Sequence, residues 1–253
     1  MIYIKQGLRK FFAGFALSVF FASAQAGEVN VAVAANFATT LEKLTKIFEA
    51  ESGHKVLISS GSTGKLYAQI KLGAPFDVML AADSERPQRM EAENLAVAGS
   101  RFTYATGRLV LWSVQPDKVD KEGRVLSQDT YRHLAIGNPK TAPYGTAARQ
   151  VLEKMGLWEK IQPRLVQGED IGQAFQFVVT GNAELGFVSL AQVKSAESKY
   201  PGSYWLVPDT FYQPITQQAV LLDRGRNNDA AIAFLGFLKG KPAQAVIESF
   251  GYK

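Results

Sequence analysis

Short apolar runs alternate along the chain with stretches whose apolar residues recur at helical spacing. Val29, Val31 and Val33 alternate with other residues and give way to the small Ala34 and Ala35, which predicts a strand. The period then lengthens. Phe37, Leu41, Leu44 and Phe48 share one helix face, with Glu42, Lys43, Lys46 and Glu49 around the rest. The same change recurs further on: Val56, Leu57 and Ile58 form an apolar run, and Leu66 and Ile70 are spaced as on a helix. Between them Ser59, Ser60, Gly61, Ser62, Thr63 and Gly64 read as a tight loop at the helix start. Gly73-Ala-Pro75 ends that helix, and Phe76 to Asp83 predicts a third strand.

Phe102 to Ser113 is strand-like with a glycine in its middle, a place for the chain to cross between domains. A second series follows. His133 to Pro139 predicts a strand, Lys140 to Thr146 a loop, and Ala148, Leu152 and Met155 a helix that stops at Gly156. Asp170 reads as the N-cap of a helix opening at Ile171, and Glu184 to Ser189 as a strand ending on a hydroxyl. Tyr204 to Val207 and Ile215 to Leu222 are further strands; Asn228 to Leu238 and a short segment before Gly251 are closing helices. No irregular linker exceeds about a dozen residues.

Repeated strand, small turn and helix predict an α/β fold in which such turns emerge together at the carboxyl edge of parallel strands. A helix start there offers free backbone N–H groups and the positive end of the helix dipole, which suits an anion. The hydroxyls of Ser60, Ser62 and Thr63 add donors. Each feature taken alone has a plainer reading. The Ser/Gly run and Asn36 would serve as helix caps, and Tyr144 as an exposed aromatic packed on Pro143. A Walker loop is excluded, because Ser59 and Leu66 stand where Gly and Ser/Thr are required. Gly61-Ser-Thr-Gly64 lacks the spacing of a hydrolase elbow.

Composition narrows the picture. Lys5, Arg9 and Lys10, the apolar run Phe11 to Phe21 and Ala24-Gln-Ala26 read as an export signal over residues 1–26, too short to span a bilayer comfortably. The expected product begins at Gly27 and is a soluble periplasmic protein. Absence of cysteine leaves neither a lipid-attachment site nor a disulfide framework. With 28 basic and 23 acidic residues the formal charge is +5, and loss of the three basic signal residues lowers it to +2. No basic run with interleaved aromatics is present, so no nucleic-acid partner is expected. His54 and His133 lie far apart, and Asp83 before Ser84-Glu85 reads as a helix cap, so neither it nor Asp77 points to a metal site.

One succession of motifs is far more specific than any of its parts. Ala-Asn-Phe (35–37), Ser-Ser-Gly-Ser-Thr-Gly (59–64), Gly-Ala-Pro-Phe-Asp (73–77), Ser-Arg-Phe-Thr-Tyr-Ala (100–105), Gly-Asn-Pro with Ala-Pro-Tyr-Gly (137–145) and Leu-Gly-Phe-Val (185–188) resemble the periplasmic molybdate-binding proteins, the solute receptors of molybdate ABC importers. The resemblance covers essentially all of the chain after the signal. It implies a type II periplasmic-binding-protein clamshell of two α/β lobes with a hinge, residues 27–107 plus 217–253 forming one lobe and 108–216 the other. It also implies a monomer that carries no cofactor, takes molybdate or tungstate as its oxyanion and delivers it to an inner-membrane ABC permease.

Carried over position by position, the family's ligand contacts fall on Asn36 through backbone and side chain, Thr63 through a hydroxyl usually supplied by Ser, Tyr144, and Ile171 through its backbone N–H. Ser62, Ala35 and Ser189 are weaker candidates; Ser189 stands where some members have Tyr. Two other readings stay open. The same fold could take sulfate, phosphate or a small organic anion, although no Arg clamp for a carboxylate stands in these loops. A serine hydrolase would need His54 or His133 as base, and neither is recognisably arranged with Ser60 or Ser62.

Overall fold

The computed structural model describes residues 26–253, so the expected export signal lies outside the described residues except for Ala26. Two five-stranded sheets organise the chain. The first runs in the order β2 (Lys55–Gly61), β1 (Glu28–Ala34), β3 (Val78–Ala81), β10 (Ile215–Leu221), β4 (Phe102–Gly107). The second runs β7 (Leu165–Gly168), β6 (Leu134–Gly137), β8 (Leu185–Ser189), β5 (Leu109–Ser113), β9 (Ser203–Leu206). In each, three parallel strands are followed by one that runs against them and a last that runs with them. The chain passes from the first sheet to the second between Gly107 and Leu109, and returns between Leu206 and Ile215. β5 and β10, the strands entered by crossing, each lie beside the third parallel strand of the sheet they join.

Helices cover both sheets: α1 (Ala38–Ser52), α2 (Thr63–Lys71), α3 (Glu85–Ala92), α4 (Pro143–Lys154), α5 (Trp158–Ile161), α6 (Ile171–Val179), α7 (Leu190–Ala196), α8 (Asp229–Lys239) and α9 (Lys241–Ser249). The apolar stripe of α1 is buried as its spacing predicts, with Leu41 and Leu44 fully enclosed and Phe48 meeting Phe234 edge-on at 5.3 Å. Gly53 ends α1 in the left-handed conformation at φ 74°, where it returns its N–H to Glu49. In the second core Trp112 is enclosed and stacks on Phe175 at 5.0 Å. Among the described residues no single helix is long and apolar enough to cross a membrane.

Three expectations about the turns change. Ser59, Ser60 and Gly61 belong to β2, while Thr63 and Gly64 are already helical, so the expected loop shrinks to Ser62. β2 is an edge strand: pairing with β1 continues to Ala34↔Gly61, and Ser59 and Ser60 stay exposed, so polar residues disturb nothing there. The second change is at α4, which opens at Pro143 rather than after Thr146, because proline fits the first helical position, where an N–H would have no partner. Finally, Asn36 does not cap α1. It lies inside a 3₁₀ turn, Ala35–Phe37, that joins β1 to the helix. Asp83 behaves as expected, its carboxylate accepting the Arg86 N–H at 3.0 Å.

Asn228 fastens α8 to the first sheet. Its Oδ1 accepts the Ala230 N–H at 3.0 Å while its Nδ2 donates to the Glu28 carbonyl at 2.8 Å. Asn228→Ala is expected to destabilise the protein by about 1–2 kcal/mol, read as a lower denaturation midpoint at unchanged denaturant dependence.

Candidate functional site

The parallel strands of each sheet bring helix starts to one edge. β1 runs directly into the 3₁₀ turn, β2 ends level with it, and only Ser62 separates β2 from α2. In the second sheet β6 and β7 end level at Gly137 and Gly168, close to the starts of α4 and α6. The two edges face each other across a small cavity of about 10 Å³, room for about one water. Ala35, Asn36, Ser62 and Thr63 line it from the first lobe, Tyr144 and Ile171 from the second.

The donors here are free because other groups hold their acceptors in place. Thr63 is fully buried, and its Oγ1 accepts the Ala82 N–H at 3.0 Å, which leaves the hydroxyl proton for another acceptor. Ser62 caps α2 by accepting the Lys65 N–H at 3.4 Å, with the same consequence for its own proton. Asp170 caps α6 through Gln173 N–H at 2.9 Å. Its carboxylate thus serves its own helix, and the N–H of Ile171, first in that helix, has no partner within it. Pro143 has no N–H, so the first amide of α4 is that of Tyr144. The Tyr144 side chain is enclosed rather than exposed on Pro143, and its hydroxyl has no partner among the described residues.

Asn36 departs from expectation. Its side-chain Nδ2 donates to Gln217 Oε1 at 2.9 Å and to the Tyr252 hydroxyl at 3.2 Å, which takes up both amide protons. What remains is its backbone N–H, second in a 3₁₀ turn and without a partner inside that turn. No Lys or Arg lines the cavity, and Asp170 is its one ionisable carboxylate. Among the described residues no group of three or more His, Asp or Glu side chains comes together as a metal site.

Residues 29–253 match the bacterial extracellular solute-binding protein family. The chain belongs to that family. It is 54% identical over 230 residues, 91% of each chain, to the molybdate-binding protein ModA of Azotobacter vinelandii. To the protein of the same name from Rhodobacter capsulatus it is 48% identical over 229 residues, covering 90% of this chain and 89% of the other. The solved periplasmic molybdate-binding protein of Azotobacter vinelandii superposes with a TM-score of 0.86 at 46% identity, over 89% of this chain and 98% of that one. The two-lobed α/β clamshell expected from the motifs is therefore the fold of this solute-binding protein.

Across the cleft of this solute-binding protein the lobes touch. Gly64 N–H donates to the Thr141 carbonyl at 2.9 Å, and Lys65 pairs with Glu169 at 2.6 Å in an exposed position. A Cβ on Gly64 would stand 3.0 Å from the Thr141 oxygen, so the close approach depends on glycine. Ser189 is not among the cavity's lining residues. It is fully buried as the N-cap of α7, in a reciprocal box with Gln192. Gln192 in turn donates from Nε2 to the Ile171 carbonyl at 3.1 Å, so Ser189 reaches the site only through two intermediaries.

Behind the first-lobe wall lies a cluster that motif reading overlooked. The Gln217 oxygen accepts from Asn36 and, at 3.1 Å, from the Tyr104 hydroxyl; the Tyr252 hydroxyl donates to the Asn36 carbonyl at 2.8 Å. The signal was available: two adjacent glutamines, after Thr216, inside the strand run Ile215 to Leu221. Burial pushes the phenols of Tyr104, Tyr144 and Tyr252 well above the ordinary tyrosine range, so all three stay neutral donors. A raised pKa in the folded state contributes stability below the ordinary phenol value of about 10 that is lost above it. Folding stability is expected to fall steeply with pH above about 10, and phenolate absorbance of these residues should appear together with unfolding.

Proposed function

We propose that this protein is the periplasmic receptor of a molybdate ABC importer, that it takes up molybdate and tungstate alike, and that it holds them by neutral hydrogen-bond donors. The observation that carries the reading is the convergence of helix starts from both lobes on one small cavity free of Lys and Arg. A tetrahedral dianion has four oxygens that only accept, so a wall of N–H and O–H groups can satisfy it. Backbone N–H groups of Asn36, Tyr144 and Ile171 and hydroxyls of Thr63 and Ser62 are the donors assigned, with Ala35 in the wall. The similarity to two proteins named for molybdate binding supports this cargo over other oxyanions.

The magnitudes suffice. A hydrogen bond to a charged group contributes about 1.5–3 kcal/mol net. The five assigned donors together give roughly 8–15 kcal/mol, from which ordering costs are subtracted, a range that spans the roughly 8–12 kcal/mol of micromolar to nanomolar binding. Closing the lobes removes water, which strengthens each of these interactions. The closed form is the shape the permease reads. No catalytic step, cofactor or partner copy enters this scheme, and the receptor acts as a monomer.

Because the donors are fixed, anion size decides between ligands. Molybdate or tungstate at a hundred times its dissociation constant should add about 2.7 kcal/mol to stability. Thermal unfolding across molybdate, tungstate, sulfate, phosphate and chromate checks this, and a shift with sulfate as large as with molybdate would overturn the assignment. Thr63→Ala should weaken molybdate binding by about 1–3 kcal/mol in calorimetry, whereas Thr63→Ser, which keeps the hydroxyl, should retain it.

A further inference from the structure

The cluster around Gln217 holds two unsatisfied groups that face the same small space. Gln217 and Tyr144 are both enclosed, and Gln217 Nε2 and the Tyr144 hydroxyl each lack a partner among the described residues. They come from different lobes: Gln217 lies on β10 of the first sheet, Tyr144 in the first turn of α4 over the second. Gly107, the last residue of β4 before the chain crosses between the sheets, lies beside both. A Cβ there would stand 2.2 Å from the Tyr144 hydroxyl oxygen and 2.9 Å from Gln217 Nε2. Only a residue without a side chain leaves these two polar groups open to each other.

A buried donor without an acceptor costs about 1–3 kcal/mol, so such a pair persists where a further state satisfies it. A phenol that donates its proton can accept one hydrogen bond at its oxygen, and an amide N–H is a neutral donor suited to supply it. The other end of the same amide is fixed, because its Oε1 receives Asn36 and Tyr104. The geometry points to Gln217 as a positioning residue that links the first-lobe donor Asn36 to the second-lobe Tyr144, holding the phenol so that its proton is directed to the bound oxyanion. It rests on the oxyanion reading above and extends it to a residue outside the cavity wall.

Neutrality matters at this position. An acidic side chain would keep the acceptor for Asn36 and Tyr104 but replace the N–H donor by a negative charge close to a dianion. The titratable groups facing Gln217 are Tyr104 on β4, Tyr144 on α4 and Tyr252 after α9; Asp83 acts on Tyr104 and is paired with Arg86, and Tyr212 acts on Tyr144. Burial keeps these tyrosines protonated near neutral pH.

Gln217→Glu is therefore the informative variant, titrated with molybdate beside the unaltered protein at about pH 6 and about pH 8. The unaltered protein is expected to bind equally at both. The variant should bind at least about tenfold more weakly at the higher pH and recover part of that loss at the lower, as the glutamate protonates and regains a donor. Equal binding by variant and parent at both values, or a loss that does not change with pH, overturns the proposal. A parent that binds neither molybdate nor tungstate overturns the function reading, and the role of Gln217 falls with it. Should Gln217→Glu fail to fold, Gly107→Ala separates the pair by a methyl group instead. Its molybdate complex should dissociate several-fold faster, and parental kinetics would overturn the proposal.

Discussion

An α-helix leaves its first amides without partners, and everything distinctive about this protein follows from where those amides are placed. In each lobe the parallel strands deliver helix starts to one edge of the sheet, and the lobes oppose those edges. The result is a concentration of partial positive charge that no ionisable side chain supplies. Such a field has fixed direction and fixed distance. It favours a compact multiply charged acceptor and gives little purchase to a flexible organic anion, for which an Arg fork would be the usual partner.

Placing donors in a buried cavity requires that their own oxygens and carbonyls be held from behind. Ala82 does this for Thr63, Gln173 engages Asp170 and so leaves Ile171 open, and Gln192 holds the Ile171 carbonyl. Asn36 is held most elaborately, by Gln217 and by both faces of the Tyr252 hydroxyl. Tyr252 is the second-last residue, and Lys253 beside it pairs its backbone with Thr106 just before the crossing between sheets. The tail therefore packs beneath the site and against the segment that joins the lobes. Polar contacts across the cleft join Gly64 to Thr141 and Lys65 to Glu169, beside apolar packing of Ala35 on the second core and of Ala191 on the first.

Much of this was legible in the amino-acid order. The 3.6-residue spacing of Phe37, Leu41, Leu44 and Phe48 fixed α1, and Asp170 marked the start of α6, because burial of an apolar stripe and capping of free amides are local requirements. The repeated strand and turn placed two anion-favouring edges, and the order of six motifs named the family. Turn boundaries were less legible. Ser59, Ser60 and Gly61 have loop chemistry yet extend β2, since an edge strand tolerates exposed polar residues when its neighbour supplies the ladder. Ser189 has the right chemistry and the wrong location: α7 uses it as a cap.

By itself, then, the sequence determined the elements, the α/β class and the kind of group that would line the site, all consequences of periodicity and of residue chemistry acting within one turn or strand. Only tertiary structure decided which donors are free. Asn36 spends its side chain on Gln217 and Tyr252, more than 180 residues away in the chain, and Tyr144 meets Gly107 and Gln217 from the opposite lobe. Whether a polar group is available or already satisfied depends on partners that are distant in sequence, and no local pattern encodes them.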